Sequence, residues 1–144
     1  MNPEVEKYLV AWRDKVIPPP PVTDLIESKL LSFGNGYAEV ELVASSKLHN
    51  PFGMVQGGIL CAVADVAMGV AAATTLNPGE GFTTITMNSV YLKSISEGHL
   101  LAKAAVVHRG KTTMHVECDV FKGEDLLSRM SSTCIIREGF GVKA

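Results

Sequence analysis

Residues 57–76 of this chain read GGILCAVADVAMGVAAATTL, and this stretch decides the fold. Asp65 is its only charged residue, and the run is as long as a membrane-spanning helix. Most of its residues are small, and a carboxylate near the middle of a span is costly in lipid. Because a helix without a polar side has to be enclosed by protein, we predict a central helix buried on all faces, and no membrane span.

The chain before this helix is predicted to hold one further helix and a β-hairpin. Apolar residues recur at helical spacing over residues 3–16, which indicates an amphipathic helix. Pro18 to Pro21 end that helix and force an extended connection. Strands are predicted over residues 25–33 and 37–44, and Gly34-Asn35-Gly36 between them supplies the positive-φ positions of a tight hairpin.

The chain after the central helix is predicted to form four strands. Asn77 to Gly81 end the helix, and short turns separate strands that are predicted over residues 83–92, 99–108, 112–121 and 126–137. Three consecutive short connections indicate an antiparallel meander. The expected fold class is α+β, a curved antiparallel sheet of about six strands wrapped around the central helix, because one sheet and one apolar helix must cover each other.

Composition limits the class of protein. Apolar residues make up 47% of the chain and charged residues 19%, which suits one globular domain over residues 1–144, with residues 1–21 as the first helix and its proline-rich connection. The net charge of −2 does not suggest a nucleic-acid partner. The N-terminus does not read as a signal peptide, so a cytoplasmic location is expected. Sheet edges left open by one chain predict a homo-oligomer.

The cysteines and histidines do not suggest a metal site. Cys61, Cys118 and Cys134 are widely spaced, and no Cys–His cluster has zinc spacing. The cysteines are interpreted as buried small hydrophobic residues in a reducing compartment. No metal and no cofactor are expected.

The residues where the central helix begins can carry chemistry. Gln56-Gly57-Gly58 stand at a helix N-terminus, where unpaired N–H groups and the helix dipole favour negative charge. Such donors can stabilise the oxyanion that develops in acyl transfer, although the glycines could also serve only tight packing. Asp65 has no helix neighbour that could neutralise it, so it is either a functional carboxylate with a raised pKa or a structural hydrogen-bond acceptor.

Taken together and in this order, these motifs resemble those of the hotdog acyl-CoA thioesterases of the phenylacetate-pathway (PaaI) and THEM2-like type. The resemblance spans roughly residues 35–137 and rests on His49-Asn50-Pro51, Gly53, Gln56-Gly57-Gly58, Asp65, the stretch GFTTITMN at 81–88, and Arg109-Gly110-Lys111. One departure concerns Gln56, because members of this family usually carry His at that position. A glutamine amide can donate a hydrogen bond but cannot move a proton.

The resemblance implies that the chain hydrolyses acyl-CoA thioesters at sites between subunits, in a tetramer built as a dimer of dimers. Asp65 would be the nucleophile or general base, and the Gly57 N–H would form the oxyanion hole. Asn50 would orient the water or the carboxylate, Gln56 would bond the thioester oxygen, and Thr84 would lie near the water, with Thr83 as the alternative.

CoA is expected only as part of the substrate, and its phosphates need cationic turns. The candidate substrate-binding and CoA-binding residues are Gly58, Tyr91, Lys93, Arg109, Gly110, Lys111, Thr112 and Arg137. The turn at 109–111 could also be an ordinary solvated hairpin turn. Two other functions stay open: hydrolysis of acyl-carrier-protein thioesters, and non-catalytic binding of acyl-CoA by an oligomer. A hotdog dehydratase is not expected, because the His–acid pairing that it needs is missing near the central helix.

Overall fold

A computed structural model describes residues 1–139 of the chain, which form a six-stranded sheet and three α-helices. The elements in chain order are α1 (Pro3–Arg13), α2 (Pro21–Leu25), β1 (Ser28–Gly34), β2 (Tyr37–Ala44), α3 (Gly57–Ala73), β3 (Glu80–Tyr91), β4 (Gly98–Arg109), β5 (Thr113–Lys122) and β6 (Asp125–Glu138), with a 3₁₀ turn at Ser46–Leu48. The predicted α+β class and the six strands are confirmed. The end of the predicted domain, residues 140–144, lies outside the described residues.

Helix α1 is shorter than predicted. The Asn2 side chain caps its start by accepting a hydrogen bond from the Glu4 N–H at 3.0 Å. The helix ends at Arg13, not at residue 16, because Lys15 adopts a positive φ of 59° and the Val16 N–H turns back to the Ala11 carbonyl. This geometry closes the C-terminus of a helix, so the next residues cannot continue it.

The connection to the sheet also differs from the prediction. Pro21 begins a short helix, α2, which it can do because proline is tolerated at the first helical position. Strand β1 therefore begins at Ser28 and not at residue 25. The predicted hairpin between β1 and β2 is confirmed, with Gly36 at a φ of +72° in its turn.

The predicted meander of four strands is correct for β4, β5 and β6 but wrong for β3, which does not pair with β4. The strand order is β1-β2-β4-β5-β6-β3, so β3 lies at an edge beside β6, and β4 lies between β2 and β5. Residues 92–97 connect β3 to β4 past the end of the β5–β6 hairpin, a distance of about 14 Å for three strand spacings. Six residues can span about 20 Å, so a short connection does not have to be a hairpin turn.

Helix α3 lies against the inner face of the sheet and contacts all six strands, which confirms that the sheet curves around it. It ends at Ala73, before the predicted Leu76. Contrary to the prediction of burial on all faces, one chain alone leaves a side of this helix uncovered. Gly58 and Asp65 are exposed, and the half-buried residues Cys61, Ala62, Val66 and Gly69 share their side of the helix. The sheet of one chain is not wide enough to cover this side, which is called the uncovered face of α3 below.

Two of the three cysteines are buried in the core, as predicted. Cys118 and Cys134 are buried among apolar residues, and burial raises the pKa of the Cys118 thiol to about 12, so it stays protonated. Cys61 differs, because it is only half-buried and lies on the uncovered face of α3. Within residues 1–139, no helix is both long and apolar enough to cross a membrane.

Candidate active site

The start of α3 presents free backbone donors. Within residues 1–139, the N–H groups of Gly57 and Gly58 have no acceptor, and the next N–H, of Ile59, bonds to the Gln56 carbonyl at 2.9 Å. The exposed side chain of Gln56 makes no capping bond to the helix. Two N–H groups and one amide side chain are therefore available to a ligand, as the oxyanion interpretation requires.

A tight loop before α3 positions Asn50 beside these donors. The Asn50 Oδ1 atom accepts hydrogen bonds from the backbone N–H groups of Phe52 at 2.9 Å and Met54 at 3.2 Å. The Asn50 N–H bonds back to the Met54 carbonyl at 2.7 Å. Because the loop uses the amide oxygen, the amide nitrogen of Asn50 is the part that remains free to donate to a ligand.

Tyr91, at the end of β3, holds the first turn of α3. Its hydroxyl donates to the Gly57 carbonyl at 3.0 Å, and Cys61 Sγ lies 2.9 Å from the same hydroxyl and 3.1 Å from Ser89 Oγ. The hydrogen bond to Cys61, together with desolvation, raises the pKa of Tyr91. The sequence indicated Tyr91 as a substrate contact but not the roles of Cys61 and Ser89, which become visible only when β3 is placed beside α3.

A cavity of about 320 Å³ joins four of the predicted residues. Asn50, Gly57, Tyr91 and Lys93 all line it. Lys93 forms an ion pair with Asp125, and the hydrogen bond from Lys93 lowers the pKa of that carboxyl. Asn50, Gly57, Tyr91 and Lys93 are called the donor group below, because each carries a hydrogen-bond donor near the N-terminal end of α3.

Asp65 lies two turns further along α3, on the uncovered face. Desolvation by its apolar surroundings is the only cause that raises the pKa of its carboxyl, and within residues 1–139 no hydrogen-bond donor or cation opposes that effect. The side chain is nevertheless exposed. Water can therefore reach a carboxylate that is less stable in its charged form than usual, which suits a general base.

The contacts between α3 and β3 delimit the segment of β3 that faces Asp65. The two elements run in opposite directions: Gly57 meets Tyr91, Cys61 meets Ser89, and Gly69 meets Phe82. The segment of β3 opposite Asp65 therefore lies between Phe82 and Ser89 and includes Thr84. This residue is half-buried, with its Oγ1 3.6 Å from Sγ of the buried Cys134. Thr83 is exposed on the other face of β3, so Thr84 is the better candidate.

The remaining candidates lie at the other end of the sheet. Arg109 is half-buried and forms an ion pair with Glu80 at 2.5 Å, so its charge is already compensated. Within residues 1–139, Lys111 and Arg137 form no ion pair. Gly110 and Thr112 complete the turn: the Gly110 N–H bonds to the Thr113 carbonyl, and the Thr112 carbonyl accepts from Ile136. The residues at 109–112 and 137 are defined here as the cationic group.

One chain does not bring its candidate residues into a single site. Gly57 and Asp65 are eight residues apart on α3, which is about 12 Å along the axis. The donor group lies at the Tyr91 end of β3, and the cationic group lies at the Glu80 end, about 36 Å away for a strand of this length. The candidate oxyanion donors and the candidate carboxylate of one chain thus cannot both reach one thioester carbonyl.

Comparison with known proteins assigns the family. The model of the Thioesterase superfamily matches residues 52–128. A 1,4-dihydroxy-2-naphthoyl-CoA hydrolase from Listeria monocytogenes is 32% identical over 90 residues, which are 62% of this chain and 73% of that protein.

Solved structures agree with this assignment. A phenylacetic acid degradation-related protein from Ralstonia eutropha JMP134 has a TM-score of 0.81 and 25% identity, covering 89% of this chain and 98% of that one. A thioesterase from Haemophilus influenzae has the same TM-score at 18% identity, covering 94% of each chain, and so supports the fold. The matched segment contains the start of α3, Asp65 and β3, and the chain therefore belongs to the thioesterase superfamily of thioester hydrolases.

Proposed function

We propose that this enzyme hydrolyses acyl-CoA thioesters to free CoA and a carboxylic acid, with Asp65 as the nucleophile or general base. The observation that carries the proposal is the pairing of two chemical features on one helix. Free N–H groups stand at the start of α3, and an uncompensated carboxylate stands on its uncovered face. Hydrolysis of a thioester needs both an oxyanion site and a group that activates water.

In the general-base form of the mechanism, Asp65 takes a proton from water as the water oxygen attacks the thioester carbon. The carbonyl oxygen becomes an oxyanion, which the Gly57 N–H stabilises together with the Asn50 amide and the Gln56 side chain. The carbon–sulfur bond then breaks, and the proton passes to the CoA thiolate. Thr84 supplies a hydroxyl that can hold the attacking water. In the nucleophilic alternative, Asp65 attacks the carbon directly and CoA leaves as the thiolate. Water then hydrolyses the resulting anhydride, which frees the carboxylic acid and Asp65, and a proton of that water passes to the thiolate.

We infer that two copies of the chain complete each active site. Strand β3 is an edge strand with unpaired backbone groups, and pairing it with the β3 of a second copy about a two-fold axis would place the donor group of one copy near the Asp65 of the other. The same operation would bring Lys93 toward the partner's cationic group. Two such dimers would form the tetramer that we propose.

The cationic group is the proposed phosphate site for CoA. Lys111 and Arg137 are the cations left uncompensated there, and they would bind the phosphates. Arg109 would contribute to the site while it stays paired with Glu80. The Listeria relative acts on an acyl-CoA, which supports CoA over a carrier protein as the acyl carrier. A reducing compartment such as the cytoplasm is the proposed location, because the three cysteines are free.

The test is turnover of a panel of acyl-CoAs, followed as free CoA with a thiol reagent. We expect hydrolysis of at least one member and a loss of at least about 100-fold in kcat for Asp65→Asn, the usual contribution of a positioned base. Asp24→Asn, which changes an exposed carboxylate on α2, serves as the matched control and should keep full activity. Release of no CoA from any substrate would refute the proposed function.

A further inference from the structure

A second and larger cavity lies under α1. Its volume is about 950 Å³, and its wall consists of α1, the last turn of α3 and the first residues of β3. Val5, Tyr8, Ala11, Ala73 and Phe82 are among the residues that line it. Ligand pockets commonly have volumes of about 300–1,000 Å³, so the cavity is large enough for a flexible apolar chain.

The uncovered face of α3 connects this cavity with Asp65. Asp65, Gly69 and Ala73 follow one another at intervals of four residues and thus share one face of the helix. Asp65 is exposed, Gly69 and Ala73 are half-buried, and Ala73 is part of the cavity wall. The path from the carboxylate to the cavity therefore covers two helical turns, or about 12 Å.

Strand β3 forms the other side of this path. Thr84 and Phe82 are two residues apart and point toward α3 from the same face of the strand. Phe82 also lines the cavity, and its Cζ would lie 3.9 Å from a Cβ added to Gly69. A chain that leaves the reacting carbon at Asp65 would next run over Gly69 and along the edge of the Phe82 ring, because the two residues pack too closely for a chain to pass between them.

Packing among the described residues does not explain a glycine at position 69. Glycine inside a helix costs about 1 kcal/mol relative to alanine. An added Cβ at Gly69 would meet only Phe82, at an ordinary van der Waals distance. Glycines without a conformational reason often mark the close approach of a ligand or of another backbone.

We propose that the cavity under α1 is the binding chamber for the acyl chain and that Gly69 and Phe82 form its entrance from Asp65. This inference rests on the proposed thioesterase function and names its substrate class: acyl-CoAs with an unsubstituted apolar chain long enough to cross two turns of α3. Of the charged residues in the cavity wall, Glu4 and Lys7 are exposed and Glu80 is paired with Arg109, so the apolar side chains of the wall are left to contact the chain.

Two variants fill the path and the chamber from opposite walls. Gly69→Leu narrows the entrance, and Ala11→Phe fills the chamber from α1. Val10→Phe is the matched control, because Val10 is the exposed neighbour of Ala11 outside the cavity wall. The measurement is kcat/KM over a series from acetyl-CoA to palmitoyl-CoA. In the wild type we expect kcat/KM to rise about fourfold for each methylene that enters the chamber, the effect of burying one such group.

Both filling variants should lose at least tenfold in kcat/KM on long-chain substrates, and the loss should grow with chain length, whereas Val10→Phe should follow the wild type throughout. An unchanged chain-length profile in Ala11→Phe, or an equal loss on all substrates, would overturn the inference while leaving the thioesterase function intact.

If the wild type hydrolyses no acyl-CoA, the proposed function fails and the chamber is tested by binding alone. Trp12 is the only tryptophan of the chain, and its ring centroid lies 6.5 Å from that of Tyr8 in the cavity wall. Titration with laurate should then change the fluorescence of the wild type and of Val10→Phe but not that of Ala11→Phe. No response in the wild type would contradict the chamber.

Discussion

Desolvation of the Asp65 carboxylate, with no compensating charge nearby, makes the stability of the fold depend on pH. The pKa of this carboxyl is raised in the folded chain, so folding favours the protonated form. The stabilising contribution is complete below the unfolded pKa and is lost as the pH rises through the folded pKa. Asp65→Asn, which carries no charge at any pH, should therefore unfold at a higher temperature than the wild type at neutral pH.

Thermal unfolding followed by circular dichroism at several pH values measures this difference. The gap between Asp65→Asn and the wild type should shrink as the pH falls into the ordinary carboxyl range and below. The same raised pKa should place the acidic limb of the kcat/KM profile above the pKa of an ordinary aspartate. A variant that is less stable than the wild type at neutral pH would instead identify Asp65 as a structural acceptor.

Gly57 and Gly58 are neighbours at the start of α3 but should respond differently to alanine. A Cβ at Gly57 would lie 3.1–3.2 Å from the Tyr91 ring and 3.3 Å from its hydroxyl, whereas a Cβ at Gly58 would meet nothing within 4 Å. Gly58→Ala should thus stabilise the chain by up to about 1 kcal/mol through helix propensity. Gly57→Ala should lose that gain by displacing Tyr91 and its hydrogen bond. Chemical denaturation of both variants tests this, and equal stabilisation would contradict the role of Tyr91.

At the scale of single elements, local sequence patterns predicted which segments form strands. They did not predict which strands pair with each other in the sheet. The segment at 80–91 is recognisable as a strand, yet nothing in it distinguishes pairing with β4 from pairing with β6. A connection of six residues allows both arrangements. The misplacement of β3 also hid the contacts of Cys61 with Ser89 and Tyr91, since these residues meet only across α3 and β3.

The central helix shows a second property that the sequence alone could not predict. Its composition correctly predicted a helix packed against the sheet, because apolar side chains dominate every turn. Composition could not show that one chain leaves a face uncovered around Asp65 and Gly69. Whether an apolar helix face is covered within the chain or by a second copy depends on the width of the sheet, which is a property of the tertiary structure.

At the scale of the whole molecule, the separation of Gly57 from Asp65 predicts complementation between two inactive variants. Gly57→Pro removes the oxyanion N–H at the first helical position, where the backbone accepts proline although the added Cβ displaces Tyr91, and Asp65→Asn removes the base. In a mixed dimer with shared sites, one site would combine the intact Asp65 of the first chain with the intact Gly57 of the second. Random mixing should restore about a quarter of the active sites.

Co-expression of the two variants with different affinity tags yields the mixed species, and hydrolysis of an acyl-CoA measures its activity. The control is a mixture of the wild type with the double variant Gly57→Pro/Asp65→Asn, since every site of its mixed dimers would carry one defect and only the wild-type dimers would act. If each chain carried its own complete site, these mixed dimers would instead keep one active site, and the two single variants would stay inactive when mixed. The comparison thus decides between shared and separate sites even if the dimer forms through a surface other than β3.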